Sequence, residues 1–143
     1  MMGPINRLLI ANRDAFTLTL YRRPLLRTKF KKAKVYPISI GKEGYETPRG
    51  LYLISSRSDC PTWTMPDSEW VPPELRGKTI PCGDPANPIR ERWLGIYDGV
   101  GIHGTLERDT ISTAVSHGCL RMLTEDVVEL YPQVPMNTPI YII

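Results

Sequence analysis

The chain has 143 residues, 41% hydrophobic and 23% charged, a balance that excludes collagen-like, fibrous and disordered classes and suits one domain spanning 1–143. No apolar run approaches the roughly 20 residues of a membrane helix, and Met1 to Arg7 has neither the apolar core nor the small-residue cleavage site of a signal peptide. The net charge of +3 is lopsided: up to Lys42, ten Lys/Arg face Asp14 alone, whereas from Glu43 onward eight Lys/Arg face fourteen Asp/Glu. Such a basic first third either forms solvated strand faces with lysine-guarded edges, the reading we prefer, or draws the domain to an anionic wall polymer, a membrane surface or nucleic acid. No aromatic-interleaved nucleic-acid module is present, so no nucleic-acid partner is expected.

In chain order, Arg7 to Ala11 carries an apolar run, and Ala15 to Leu20 alternates Phe16, Leu18 and Leu20 against Ala15, Thr17 and Thr19. This period of two predicts half-buried strands about a turn at Asn12 to Asp14. Leu25 to Phe30 and Val35 to Ile40 are further strand candidates, the second with Pro37 marking an edge or bulge. Thr47-Pro48-Arg49-Gly50 is a turn that introduces a strand over Gly50 to Ser56. Residues 57 to 92 hold half of the fourteen prolines and little periodicity, which predicts a long, irregular, functional excursion. Trp63 and Trp70 within it either line a cleft or plug the loop onto the core. Arg92 to His103 returns to strand character about an Asp98-Gly99 hairpin turn. Thr124 to Tyr131 is the one good helix candidate, with Thr124 as N-cap, Glu125 and Asp126 at the positive end of the dipole and Pro132 as terminator. Pro139 to Ile143 closes the chain as a strand after an Asn137-Thr138 turn. One short helix among many strands predicts a mainly β domain, a β-sandwich or a β-rich α+β fold.

Three cysteines are an odd number: Cys60 and Cys82 either pair in an oxidising compartment or remain small buried side chains, and Cys119 is left over. The only histidines, His103 and His117, bracket a loop ending in Ser116-His117-Gly118-Cys119. A thiol attacks as thiolate, and an imidazole nearby either lowers its pKa or takes its proton. Gly118 permits a tight turn whose N–H groups converge on a developing oxyanion. The alternatives are a buried thiol beside a hydrogen-bonded histidine, or a zinc site of His103, His117, Cys119 and one of Cys60 or Cys82. No Cys-x2-4-Cys or His-x3-5-His pair supports the latter, so no metal is expected.

The wider pattern is specific. Ile102-His103-Gly104-Thr105, with twelve residues intervening between His103 and Ser116, and then Ser116-His117-Gly118-Cys119-Leu120-Arg121-Met122, closely resembles the signature of the L,D-transpeptidase catalytic domain family of the YkuD type. Thr47-Pro48-Arg49-Gly50-Leu51-Tyr52, Pro61-Thr62-Trp63 and Asp84-Pro85-Ala86-Asn87-Pro88 resemble its other landmarks, so the likeness runs over about residues 6 to 143. The resemblance implies a β-sandwich-like catalytic fold with one short helix after the catalytic cysteine. It also implies a cysteine acyltransferase in which Cys119 attacks the carbonyl before the terminal D-alanine of a peptidoglycan tetrapeptide stem. The thioester then passes to an amine of a second stem, or to water in a carboxypeptidase. His103 is the implied base, oriented by the Gly104 carbonyl; His117 and Gly118 shape the nucleophile turn, with the N–H groups of Gly118 and Cys119 as oxyanion donors.

Arg121, Ser116, Trp63 and Thr105 are the implied substrate contacts, Arg121 having a structural salt bridge and Ser116 a loop hydrogen bond as alternatives. No cofactor is required. The implied partners are stem peptides, the implied location is extracytoplasmic, and nothing indicates an oligomeric state. A wall-binding module that turns over nothing is the competing class. The sequence departs from the family pattern at Ser112, where a glycine is usual, at Leu120 for isoleucine, and at Asn137 for the glycine of the final turn.

Overall fold

The structure is a computed structural model that describes residues 5–143. Met1–Pro4, part of the stretch read above for an export signal, lies outside the described residues. Twelve strands follow in order: β1 Arg7–Asn12, β2 Thr17–Arg22, β3 Lys31–Gly41, β4 Gly50–Leu53, β5 Ser56–Ser58, β6 Trp63–Thr64, β7 Thr79–Ile80, β8 Arg90–Tyr97, β9 Val100–Thr105, β10 Ala114–Ser116, β11 Leu120–Leu123 and, after helix α1 (Thr124–Leu130), β12 Pro139–Ile142. Ten of them form one sheet in the order β4-β12-β1-β2-β3-β11-β9-β8-β5, with β10 beside β3; β6 and β7 pair separately.

The long β3 carries both halves of this sheet. On one edge it pairs with β2, and farther along it pairs with β11 and β10. The sheet curls so that the inward side chains of both halves meet: Leu9, Leu18 and Leu20 from one, Leu94, Ile102, Leu120 and Met122 from the other, with Tyr36 and Ile38 of β3 between them. Val127 and Leu130 of α1 close the same core. The result is a mainly β, sandwich-like fold with one short helix, as expected. No helix among the described residues is long and apolar enough to cross a membrane.

Several elements differ from the sequence reading. Leu25 to Phe30 is not a strand but the β2–β3 connection, where Leu26 takes a left-handed φ of 62° and hydrophobic content lacks alternation. β2 begins at Thr17 because Phe16 turns the chain at φ 54°. Thr124 is the first helical residue, not the cap: Leu123 takes the cap position without a side-chain bond, and the Thr124 hydroxyl donates to the Thr105 carbonyl at 3.1 Å.

The excursion over 57–92 is less irregular than its prolines suggest. Cys60 and Cys82 are joined by a disulfide with Cα atoms 5.4 Å apart, inside the usual range, and it staples the β6–β7 pair just outside the Trp63–Ile80 register. Buried Asn87 pegs the base. Its Nδ2 donates to the carbonyls of Pro61, Ile80 and Pro81 at 3.1 to 3.3 Å, and its Oδ1 accepts from Ile89 N–H at 2.9 Å.

Candidate functional site

The site is set by strand register. β9 and β11 run parallel with Leu120 opposite Ile102 and Arg121 opposite His103. Leu120 and Ile102 point into the core, so the period of two sends Cys119, Arg121 and His103 to the other face together. Across the β8–β9 hairpin a register shift between Gly95 and Tyr97 places Trp93 opposite His103, with ring centroids 6.1 Å apart. Two glycines of β9 make room. A Cβ at Gly101 would lie 2.5 Å from the Trp93 ring, and one at Gly104 would lie 2.2 Å from the Arg90 carbonyl.

His103 is 4% exposed. Its Nδ1 lies 2.8 Å from the Gly104 carbonyl; because a carbonyl only accepts, Nδ1 carries the proton and Nε2 is left as a free base. Burial pushes the imidazole pKa down to about 4, the Arg121 charge adds to the fall, and the Gly104 bond opposes it. Cys119 is half-buried, and burial raises its thiol pKa; a backbone hydrogen bond from Gly101 and the Arg121 charge oppose that rise. Its Sγ–H donates to the Gly99 carbonyl at 3.5 Å. At neutral pH the resting pair is therefore neutral thiol and neutral imidazole. Of the two roles open to an imidazole, this environment suits the one that takes a proton.

The turn before Cys119 is braced from both sides. Ser116 Oγ accepts from Gly118 N–H at 3.1 Å and donates to the Cys119 carbonyl at 2.6 Å. Thr47 Oγ1 accepts from Gly41 N–H at 3.0 Å and donates to the Gly118 carbonyl at 2.7 Å. Gly118 has φ +124°, which side chains rarely adopt. These bonds correct one expectation and fill one of two alternatives. Gly118 N–H is already engaged by Ser116 and is not free for an oxyanion, and the buried Ser116 makes the loop hydrogen bond that was one of its two readings while still lying on the cavity wall. Thr105 is corrected in the same way: it is buried, its hydroxyl accepts from Glu107 N–H at 3.1 Å, and it is absent from the cavity wall.

Above this floor lies a cavity of about 830 Å3 whose walls include Cys119, His103, His117, Arg121, Trp63 and Trp93. His117 faces outward and stacks on Trp70 at a centroid distance of 3.8 Å and 6° between planes, with Tyr45 edge-on at 4.8 Å. Burial lowers its pKa, helped by the charges of Lys42 and Arg121. Tyr45 in turn donates to Glu69 at 2.7 Å, so the excursion is fastened to the site at two neighbouring residues. Arg121 reaches Glu107 at 3.4 Å, while its buried Nε has no partner among the described residues. Cys60 and Cys82 bond each other, which removes the second thiolate, the fourth ligand, of the zinc alternative. Sequence reasoning missed Trp93, Tyr45 and Thr47 as parts of the site. The alternation of β8 against β9 carries a signal for Trp93, but only once the bulge is known.

The comparisons agree with this geometry. A family model for the L,D-transpeptidase catalytic domain matches residues 6–142. The "Probable L,D-transpeptidase ErfK/SrfK" of Escherichia coli (strain K12) is 36% identical over 114 residues, covering 77% of this chain and 37% of that protein. The "Probable L,D-transpeptidase YbiS" of the same strain is 34% identical over 113 residues, covering 76% and 37%. The chain spans between 37% and 59% of the length of these and other curated relatives. Among solved structures, the L,D-transpeptidase from Mycobacterium smegmatis superposes with a TM-score of 0.73 at 20% identity, covering 97% of this chain and 59% of that one. L,D-transpeptidase 3 from Mycobacterium tuberculosis, in complex with a faropenem-derived adduct, gives 0.71 at 21% identity, covering 96% and 60%. The two solved structures share its fold, and the chain belongs to the L,D-transpeptidase catalytic domain family.

Proposed function

We propose that the whole chain, as a single catalytic domain, is an L,D-transpeptidase that uses Cys119 as nucleophile and His103 as base on peptidoglycan stem peptides. The observation that carries this reading is the shared face of β9 and β11, where a neutral, Nδ1-protonated His103 lies beside the strand that begins after Cys119. In the first half-reaction Nε2 takes the thiol proton as Sγ attacks the carbonyl before the terminal D-alanine. The tetrahedral oxyanion is met by the Cys119 N–H, the donor left once Gly118 N–H is assigned to Ser116. Collapse breaks the amide, the imidazolium returns its proton to the leaving D-alanine amine, and a thioester remains. In the second half-reaction an amine of another stem attacks the thioester, His103 takes its proton, and the thiol is restored with a new amide cross-link.

Arg121 suits a substrate carboxylate, its guanidinium lying on the cavity wall with only a long contact to Glu107. Trp63 and Trp70 form apolar walls for the stem. His117 serves the turn and the stack more than proton transfer, since it points at Trp70. Stem peptides lie outside the cytoplasmic membrane, so the domain works extracytoplasmically, and a disulfide between Cys60 and Cys82 suits an oxidising compartment.

Incubation with a disaccharide-tetrapeptide and mass spectrometry of the products tests this. Free D-alanine together with a cross-linked dimer, both absent for Cys119→Ala, is the expected result. D-alanine with tripeptide and no dimer assigns water as the acceptor and makes the domain a carboxypeptidase. An unchanged tetrapeptide, with binding to sacculi retained, favours the non-catalytic wall-binding module.

A further inference from the structure

The β2–β3 connection, residues 23–30, lies at the end of β3 remote from the catalytic turn, which packs beside Gly41 at the other end. Leu25 and Leu26 at its tip are 90% and 95% exposed, more than any other large hydrophobic side chain among the described residues. They are not loose. Arg27 N–H donates to the Pro24 carbonyl at 3.0 Å, and the Arg23 guanidinium ties the loop to the Ile5 carbonyl at 2.8 Å and the Arg27 carbonyl at 3.3 Å. A hydrogen-bonded turn thus presents two adjacent leucines to solvent.

Around them stand Arg22, Arg23, Arg27, Lys29, Lys31 and Lys32. None of these six is in a salt bridge among the described residues, and no acidic residue occurs between Asp14 and Glu43. The partners that Arg22 and Arg23 do have, the Gln133 side chain and backbone carbonyls, are neutral. A polyanionic polymer would satisfy the cations and leave the leucines in water. A lipid surface satisfies both, because headgroup phosphates lie directly above an apolar phase.

We propose that this loop docks the domain on an anionic phospholipid bilayer, with Leu25 and Leu26 entering the boundary between headgroups and acyl chains and the six cations meeting lipid phosphates. The inference does not depend on the catalytic reading. Eleven residues of β3 span at most ~35 Å, so docking holds the cavity away from the bilayer, open to polymer lying beyond it.

The test is co-sedimentation of the full chain with vesicles of phosphatidylglycerol and phosphatidylcholine, and with phosphatidylcholine alone. Binding to the anionic vesicles only is expected. Leu25→Ser with Leu26→Ser should lower partitioning about tenfold or more, and Lys31→Gln with Lys32→Gln about thirtyfold at low salt. Unchanged thermal melts establish that the variants fold. A Leu26→Trp reporter should shift its emission to the blue and be quenched by brominated lipid. Three results overturn the proposal: no binding of the wild type to anionic vesicles, binding that the serine pair leaves unchanged, or binding to polyphosphate without binding to vesicles.

Discussion

The floor and the roof of the cleft are built in different ways. The floor is ladder and core: β9 and β11 in parallel register, with Ile102 and Leu120 buried beneath the face that carries His103, Cys119 and Arg121. The roof is proline-rich chain held by a disulfide, the Asn87 peg, the stack of Trp70 on His117 and the hydrogen bond from Tyr45 to Glu69. A backbone ladder fixes side-chain directions to within hydrogen-bond tolerance, which acid–base chemistry needs. A roof held at a few points sets what fits above the thiol and can vary without moving it. Disturbing the floor should therefore change the chemical step and the acid stability, whereas disturbing the roof should change substrate fit.

The largest effect is expected from the floor. His103→Gln keeps a donor for the Gly104 carbonyl but removes the base, and acyl transfer should fall about 10^2- to 10^4-fold in a tetrapeptide assay. The same variant sharpens the electrostatic account. With a folded pKa of about 4 against 6.5 for the ordinary group, the unfolded chain binds more protons between those values, so stability is full above pH 6.5 and falls as pH drops toward 4. The loss is about 3 kcal/mol, and His103→Gln should not show it in denaturant titrations across that range.

The roof comes next. Cys60→Ser with Cys82→Ser opens a span of 22 residues and should cost about 3 kcal/mol in the chain-entropy account, read as a lower denaturation midpoint. KM should rise, while the intrinsic reactivity of Cys119 toward a small alkylating agent persists. A smaller change, Trp70→Ala, removes the aromatic stack at a cost of about 1 kcal/mol. It should also bring the His117 pKa back up toward its ordinary value in an NMR titration, because that ring loses its cover. The smallest expected effect is at Ser112, which takes φ 71°. Ser112→Gly should stabilise by under about 1 kcal/mol with activity unchanged, since glycine reaches that conformation without strain.

What was legible in the sequence follows the same division. The apolar run of β1, the alternation of β2, the Asp98-Gly99 hairpin, the single helix and the terminal strand were readable because each carries its own local pattern or turn chemistry. His103 and Cys119, which line one cavity, stood out because each sits in a local motif on one of two adjacent strands. The parallel pairing of β9 with β11, which aims both at one cavity, is a long-range fact without local signal. The bulge between Gly95 and Tyr97 is similar: a regular hairpin about Asp98-Gly99 would set Leu94 opposite His103, and the shift by one residue sets Trp93 there instead.

Other features were hidden by composition. Lys31 to Lys34 masked the first half of β3, whose exposed side chains need no apolar period, and Leu25 with Leu26 suggested a strand where the chain turns. Ser112 and Asn137, where the resemblance implies glycine, both adopt left-handed backbone, at φ 71° and 67°. For Ser116 the sequence left a loop bond and a substrate contact open, and its hydroxyl makes the loop bond, between Gly118 N–H and the Cys119 carbonyl.

The most direct test of the central claim, that Cys119 is an acylatable nucleophile in a cavity shaped for acyl-peptides, is intact-protein mass spectrometry after incubation with a carbapenem. The account predicts one adduct of drug mass on the wild type and none on Cys119→Ala. An adduct that persists on Cys119→Ala, or its absence from folded wild type with a free Cys119 thiol, would contradict it.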